Sequence, residues 1–534
     1  MAQPVSRAHS VWEGSLETPL LWLSPHDKFT VRDALNGGIL GLAVSGGGKT
    51  SGPGKGLRYS FLLNGFGGTV CTAKFEEVGM WLDDARACGR EKSVIVFDEN
   101  EGFNFLEYSL AKLGPEGVSA AVEDLMLVLE IARNAAPGGA GRTGDTFWQD
   151  AARKTLRNIL PALYAARGRL RIEEILDFLV SAPTSPGQIQ DEAWRASSFM
   201  YKTLLAALRE PVRPIDPDEY KRIVSYFEHE YAHQDAKLRT NVTATVSTSL
   251  DRFMHGRLAR AFTQKTTIVP ELMFDGAIII LNAPSVTWGS DGVIFQQVWK
   301  YFAQRAVLYR NSLPERFRVR PLFIHVDECQ IFQNSFDAQF LSMSRSARCT
   351  SVYMTQSLPT IYATITINGE NPKYSGDMFV AMFGTRFFGS TMCPETAKFC
   401  AESIGRSIQR RNNYSQGENS GWSSGLNLGE GTNLGTSSSF GTSIDPQGKV
   451  SRSSNFGTSS GYNESTGRNR GQNSGQSVSA GYSEVLDNDL EPAALSRLRT
   501  GGPVNGGIVD VVWTQAGKRF QATDRPWLVA SFRQ

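Results

Sequence analysis

The chain has 534 residues, enough for a large core and, at the usual domain size, for about two to four domains. Lys and Arg total 55 against 53 Asp and Glu, a net charge of +2, so bulk charge names no partner. Nucleic acid would have to be held by a local basic patch or by a ring of subunits. The six Cys are scattered without a C-x-x-C pair, which excludes a disulfide framework or zinc ribbon and fits a reducing compartment.

Residues 1–30 read as an irregular N-terminal arm with short extended pieces such as Leu20–Leu23. Ile39 to Val44 is a short buried strand, and Ser45 to Gly48 a glycine-rich turn. Lys49 and Thr50 follow, and the segment through Leu63 becomes helical once its early Gly and Pro residues are passed. Strand, flexible loop and helix start make a phosphate cradle, with backbone N–H groups pointing inward. The pattern is G-x-x-x-x-G-K-[ST] with Ala43 at the first glycine position. Ser45, Gly46, Gly47, Gly48, Lys49, Thr50 and Ser51 are expected to hold a nucleotide. In this reading Lys49 reaches the β- and γ-phosphates and the Thr50 hydroxyl takes Mg²⁺. The second Gly-Lys pair, Gly54-Lys55, belongs to the helix entry.

Gly67–Lys74 reads as a second core strand, Glu76–Ala87 as a helix with Val78, Trp81, Leu82 and Ala85 on one face, and Ser93–Phe97 as a third strand. This alternation predicts an α/β fold with a parallel sheet. From 118 to 235 the pattern is helical: Ala120–Asn134, a helix over Gln149–Ala166 capped near Asp145, Ile172–Leu179 and Trp194–Leu208. His229 and His233 stand four apart without a further ligand cluster and read as a solvated helix face. The core, begun over 31–117, resumes over 236–408. There Asn241–Phe262 is a helix carrying Arg252, Arg257 and Arg260, Gly276–Asn282 a strand, and Val293–Tyr309 a long amphipathic helix.

Leu322–Val326 is an apolar strand ending in Asp327-Glu328. Ligands of open α/β sheets bind at that edge. Asp327 is expected to hold Mg²⁺ and Glu328 to orient and deprotonate the attacking water. Ser344–Arg348 reads as helical. The strand Thr350–Thr355 then places the Gln356 amide where it can sense a γ-phosphate. Arg345 and Arg348 are candidates for an arginine finger acting on a neighbouring subunit, with Arg386 competing.

These motifs together resemble the coupling ATPases of conjugative type IV secretion, in the FtsK–HerA group of hexameric DNA pumps. The resemblance rests on the phosphate loop, Asp145-Thr-Phe-Trp148, His325-Val-Asp-Glu328, Ser344-Arg-Ser346 and Met354-Thr-Gln-Ser357. Phe103-Asn-Phe-Leu106, Ala151-Ala152 and Phe383-Gly-Thr-Arg386 add to it. It covers about 35–410 and 485–534. It implies a RecA-like P-loop core with an inserted all-helical domain, ATP and Mg²⁺ as cofactors, and a homo-hexamer. It further implies DNA, single- or double-stranded, and secretion-channel or relaxase-type proteins as partners. Many such proteins carry N-terminal membrane helices. Met1–Arg32 is polar and broken by Pro4, Pro19 and Pro25, and no run approaches the roughly 18 apolar residues of a span. A cytoplasmic protein, recruited to the inner face of the membrane by a partner, is therefore expected.

Residues 409–482 are Ser-, Gly- and Asn-rich with singly spaced aromatics. Such a composition buries too little apolar surface to offset chain entropy and predicts a flexible insertion. Its arginines, Arg410 among them, could touch single strands by stacking. Residues 483–534 read as a short helix and a hairpin of Gly507–Trp513 with Lys518–Thr523 closing the core. The function expected is an ATPase that moves or delivers DNA. A protein-export ATPase and a nucleotide-binding scaffold are the rival readings.

Overall fold

The computed structural model describes residues 12–113, 117–135, 146–365, 371–423, 431–444, 450–463 and 471–534. Asp145, expected to cap a helix, lies outside them. The chain forms two compact units, one comprising the residues up to Met392 together with Leu498–Gln534, the other Cys393–Arg497.

The first unit is built on a nine-stranded sheet. Its strands are β3 (Ile39–Leu42), β4 (Gly67–Cys71), β5 (Val94–Phe97), β6 (Ile278–Leu281), β7 (Leu322–Val326), β8 (Cys349–Thr355), β9 (Thr385–Phe388), β14 (Ile508–Gln515) and β15 (Trp527–Arg533). The spatial order is β15-β14-β9-β3-β8-β7-β4-β6-β5. From β9 to β5 every pairing is parallel, and β14 and β15 add antiparallel at one edge. The fold is thus the α/β, RecA-like type expected. A parallel sheet is covered on both faces, which is why β3 and β6 are apolar without alternation and, like β7 and β8, fully buried. The helices Pro53–Leu63 and Phe75–Ala87 flank β4 in the chain, and Leu57, Phe61, Val78 and Trp81 enter one core with β4, β6 and β7.

The arm is only partly irregular. β1 (Pro19–Trp22) pairs antiparallel with β2 (Lys28–Thr30), and Leu20, Leu21 and Leu23 enter that same core. Helices follow one another from Phe105 to Phe262, among them Gly117–Asn134, Thr146–Arg167, Ile172–Val180, Phe199–Arg209 and Ala236–Asp251. Two expected helices are each broken in two. Ser198 ends one helix and caps the next through its side chain. Residues 252–255 separate Ala236–Asp251 from Gly256–Phe262. A seam of aromatic rings, Phe97, Phe103, Phe262, Phe295, Trp299 and Phe302, joins these helices to the sheet. The helix Ser290–Tyr309 is buried along almost its whole length.

The closing hairpin also differs from expectation. Its second strand is Trp527–Arg533, not 518–523. Leu528 and Ala530 alternate inward there, whereas 518–523 turns and buries only Phe520, with Asp27 accepting from the Gln521 and Ala522 N–H groups.

The insertion expected over 409–482 falls in the second unit, and its residues 424–430, 445–449 and 464–470 lie outside the described ones. β10 (Arg406–Ser423) pairs antiparallel with β13 (Gly471–Asn488), and β11 (Gly431–Ile444) with β12 (Val450–Asn463). Composition argues against an apolar core, but a ladder needs only paired backbone groups. Thr, Tyr, Phe and Val supply β-propensity at intervals. The unit also holds the helix Pro394–Ile404 and a 3₁₀ turn at Pro492–Arg497, where a short helix was expected.

His325 on β7 is enclosed, with neither ring nitrogen hydrogen-bonded and Trp81 set edge-on at 5.2 Å. Burial, and secondarily the nearby Arg58 charge, pushes its pKa from 6.5 down to about 3. The unfolded chain therefore takes up a proton that the fold refuses. Stability is complete above pH 6.5 and falls toward pH 3 by up to about 1.4 kcal/mol per pH unit. His325→Phe should flatten that part of the acid limb, measured as urea midpoints against pH. An unchanged limb would assign it to other groups.

Candidate active site

β3 ends at Leu42, and its neighbours β8 and β9 hold the next residues. Ala43 N–H donates to the Thr355 carbonyl at 3.2 Å, and Val44 N–H to that of Ser390 at 2.9 Å. Ala43 is buried, and its methyl fits because residue 389 is Gly: a Cβ there would lie 2.8 Å from the Ala43 methyl. The missing loop glycine is thus absorbed by a glycine on the adjacent strand. Gly46 and Gly48 take φ of +75° and +78°, the left-handed region that glycine adopts without penalty. At Gly48 a side chain would also strike Val509 of β14, 2.5 Å away.

The helix proper begins at Pro53, a few residues after Lys49 and Thr50. Proline suits a first helical position, where its missing N–H costs nothing. The intervening turn is closed by Gly52 N–H to Gly48 at 2.7 Å and Gly54 N–H to Lys49 at 2.9 Å. Gly54 and Lys55 occupy the first helical turn, as expected. Ser51 accepts at 2.7 Å from the Gln534 amide, which ties the loop to the end of β15.

Lys49 Nζ donates to Glu328 Oε1 at 2.9 Å, and Thr50 Oγ1 to Asp327 Oδ2 at 2.6 Å. Residues 277 to 279 positions apart are thereby joined, across the one strand, β8, that lies between β3 and β7. Glu328 has a φ of +49°, uncommon for a side-chain-bearing residue, and its N–H donates to Asp327 Oδ1 at 2.9 Å. Such strain at a strand end turns a side chain out of the sheet and persists only where its surroundings enforce it. Gln330 donates to the second Glu328 oxygen at 3.0 Å and accepts from Thr355 at 2.8 Å. The chain of contacts so reaches the residue before Gln356, which is half-buried at the end of β8.

Burial raises the Asp327 pKa, opposed by the Lys49 charge and the Thr50 hydrogen bond. Burial also works against ionised Glu328, but the Gln330 and Lys49 hydrogen bonds and the Lys49 charge outweigh it and hold its pKa below the ordinary value. A third carboxyl, Glu77, went unnoticed in the sequence. It begins a helix after β4, the strand beside β7, accepts from Ala73 N–H at 2.8 Å, and is buried. Burial first, then the Asp327 charge, pushes it up to about 7. Its signal was position: an acidic residue just past a core strand's carboxyl end.

The arginines lie elsewhere. Residues 344–348 form a turn after the helix Phe336–Met343, not a helix, and Arg348 has a φ of +51°. The turn precedes β8, whose first residue, Cys349, is level with Leu322 at the start of β7. Arg345 and Arg348 are therefore at the amino edge, a strand length of about 15 Å from the acidic pair. Arg348 donates to the Val319 carbonyl at 2.9 Å, and Arg386 to that of Val380 at 3.2 Å. Arg345 is exposed.

Among the described residues no helix is long and apolar enough to cross a membrane, and no group of three or more His, Cys, Asp or Glu could hold a metal. None of the six cysteines, all among the described residues, is in a disulfide.

No protein-family model and no curated protein sequence matches the chain. Solved structures do. Plasmid coupling protein TrwB in complex with the GTP analogue GDPNP matches with a TM-score of 0.50 and 13% identity, over 94% of this chain and 86% of that one. TrwB in complex with ADP and Mg²⁺ gives the same values. VirB4 of Thermoanaerobacter pseudethanolicus matches at a TM-score of 0.39 and 11% identity, over 70% of this chain and 85% of that one. A phosphate loop, an acidic strand end and the strand between them are thus set in the RecA-like fold that this chain shares with the plasmid coupling protein TrwB.

Proposed function

We propose that the chain is an ATP hydrolase of the type IV coupling kind, which uses turnover to move or deliver DNA. The observation that carries the reading is the pairing of Lys49 with Glu328 and of Thr50 with Asp327 at the carboxyl edge. TrwB, with the same fold, is a conjugative coupling protein whose structures include complexes with ADPNP and with ADP and Mg²⁺.

The residues fit both groups. The glycine-rich turn has no side chains over Gly46–Gly48, and Gly46 opens onto free space, so a phosphate could approach its backbone N–H groups. The Thr50 hydroxyl and the Asp327 carboxylate are two hard oxygens 2.6 Å apart, the donor type that Mg²⁺ prefers. When bound there, Mg²⁺ supplies charge neutralisation across the terminal phosphates. Lys49 provides the cation for the β- and γ-phosphates. Once a triphosphate competes for that ammonium, Glu328 gains a free carboxylate oxygen to take a proton from water, with Gln330 holding the other. Gln356, at the end of the intervening strand, reports whether the γ-phosphate is present.

Arg345 stands too far from the acidic pair of its own chain, so its role as a finger is on a neighbouring subunit in a hexameric ring. Arg345→Ala and Glu328→Gln chains, each inactive alone, should regain turnover when mixed. Mixed rings as inactive as the parents would end that assignment.

The main test is ATP turnover without DNA, with single-stranded DNA and with duplex, at two salt concentrations. Turnover should rise with DNA and the stimulation should weaken with salt. Turnover indifferent to DNA but raised by a protein substrate would make the chain an export ATPase. Bound nucleotide without turnover would make it a scaffold.

A further inference from the structure

A second cavity of about 320 Å³ opens at the carboxyl edge, beside the ends of β5 and β6. Its walls come from the segments that follow β5 and β6, from the start of the helix Phe75–Ala87 and from the helix Gly256–Phe262. Phe75 stands at its rim with 68% of its surface exposed, unusual for so large an apolar side chain. Trp288 forms another wall, with the Arg257 guanidinium 4.7 Å over its ring and Phe295 behind it at 5.4 Å. Asn100 and Asn282 bring side-chain amides, and Asp98 a carboxylate.

The chemistry of this lining is selective. Two aromatic faces and a guanidinium plane suit a flat ring. Amides and a carboxylate suit the edge of a heterocycle, which carries both donors and acceptors. Among the described residues no Leu, Ile, Val or Met lines the cavity, as a pocket for a protein anchor would require. A phosphate is disfavoured as its occupant. Arg257 and Arg260 are both engaged by Glu99, at 3.0 and 3.2 Å, and Asp98 adds negative charge. The volume is that of a small-molecule site at the low end of the usual range.

Position gives the cavity a consequence. Phe75 is the first residue of the helix Phe75–Ala87, and the segment Ala73–Glu77 that enters this helix also borders the candidate active site. Ala73 N–H is held by Glu77, whose pKa is raised in part by Asp327. The Lys74 charge helps to keep Glu328 ionised. One short segment thus faces the cavity with one side chain and the acidic pair with its neighbours.

We propose that this cavity takes an unpaired base of single-stranded DNA, one bearing an exocyclic amino group, stacked against Phe75 and Trp288 and read by Asn100, Asn282 and Asp98. The proposal rests on the DNA reading above and adds where, and in what form, the strand is held. It also assigns the helix entry Ala73–Glu77 as the link between an occupied base site and the acidic pair.

The test is fluorescence anisotropy of the full chain with a labelled oligodeoxycytidylate, with unlabelled duplex and deoxycytidine monophosphate as competitors. Phe75→Ala is the main variant, since an exposed side chain can be removed without disturbing the core. Trp288→Ala is the second, with Trp288→Phe as its conservative control. Loss of one stacking partner should weaken the single-strand complex about ten-fold. Stimulation of turnover by single strands should shrink in Phe75→Ala, and Trp288→Phe should bind nearly as the parent does. Equal binding by Phe75→Ala, Trp288→Ala and the parent would overturn the proposal and leave the DNA reading standing. A change in self-association without a change in DNA affinity would make the cavity a contact between copies and overturn it. Competition by the mononucleotide as strong as by the strand would make it a free-nucleotide site and overturn it too. No binding of either form of DNA by the parent chain would overturn the DNA reading and this proposal together.

Discussion

Replacing Glu328 by Gln is expected to lower ATP turnover about 10³-fold while nucleotide affinity stays within a few-fold of the parent. A positioned general base contributes roughly 10² to 10⁴ in rate. Glu328 has the geometry that a base requires. It is buried, held ionised, and placed by a left-handed backbone beside Lys49. Gln preserves size and much of the hydrogen bonding but cannot accept a proton. Lys49→Ala should behave differently, because it removes the cation proposed to serve the phosphates and also leaves Glu328 without its buried partner at 2.9 Å. Nucleotide affinity and turnover should both fall. Steady-state turnover beside equilibrium binding of a fluorescent ATP analogue separates the two. Equal loss of affinity in both variants would mean that Glu328 only holds Lys49 in place, and the assignment as base would be wrong.

Asp337→Ala should cost about 3–5 kcal/mol of folding stability, the usual result of leaving a buried charge unpaired. Asp337 is wholly buried and receives Lys300 at 2.7 and 2.5 Å, Tyr353 at 2.7 Å, Gln304 at 2.7 Å and the Asn334 N–H at 2.9 Å. Its partners come from the helix Ser290–Tyr309, from β8 and from the segment that follows the acidic pair. Lys300→Met with Asp337→Leu should recover most of the loss, since removing both charges also removes the desolvation penalty. Urea unfolding of the single and double variants measures both effects. A loss of under about 1 kcal/mol for Asp337→Ala would show that water or a shifted neighbour satisfies Lys300, and the network would not be a structural anchor. Typical total stabilities are about 5–15 kcal/mol, so the single variant is expected to be marginal.

The sequence by itself determined the local grammar. Apolar runs of strand length at Ile39, Gly67, Val94, Ile278 and Leu322, separated by helical periodicities, can bury both faces only in a parallel α/β sheet. The Gly46–Gly48 run before Lys49-Thr50 and the Asp-Glu after Val326 were legible because backbone freedom and carboxylate chemistry are properties of those residues alone. Their contact was not, since it depends on strand order. β8 must lie between β3 and β7 for Lys49 to reach Glu328.

The same dependence explains what was misread. Residues 344–348 continue a helical pattern locally, but the chain turns there so that Cys349 can enter the sheet, which leaves Arg345 at the amino edge. The second strand of the closing hairpin was sought where the chain was nearest, at 518–523. The sheet instead took 527–533, where alternate residues could be buried. In 409–482 composition argues against a core, whereas the strand pairing of the described residues there draws on backbone groups that composition does not report. Glu77 was invisible for the opposite reason. A single Glu at a helix start is ordinary in sequence, and only the adjacency of β4 to β7 puts it beside Asp327. Residue chemistry is local and can be read along the chain. Neighbourhood across a sheet is set by which strands pair, and that the tertiary structure alone decided.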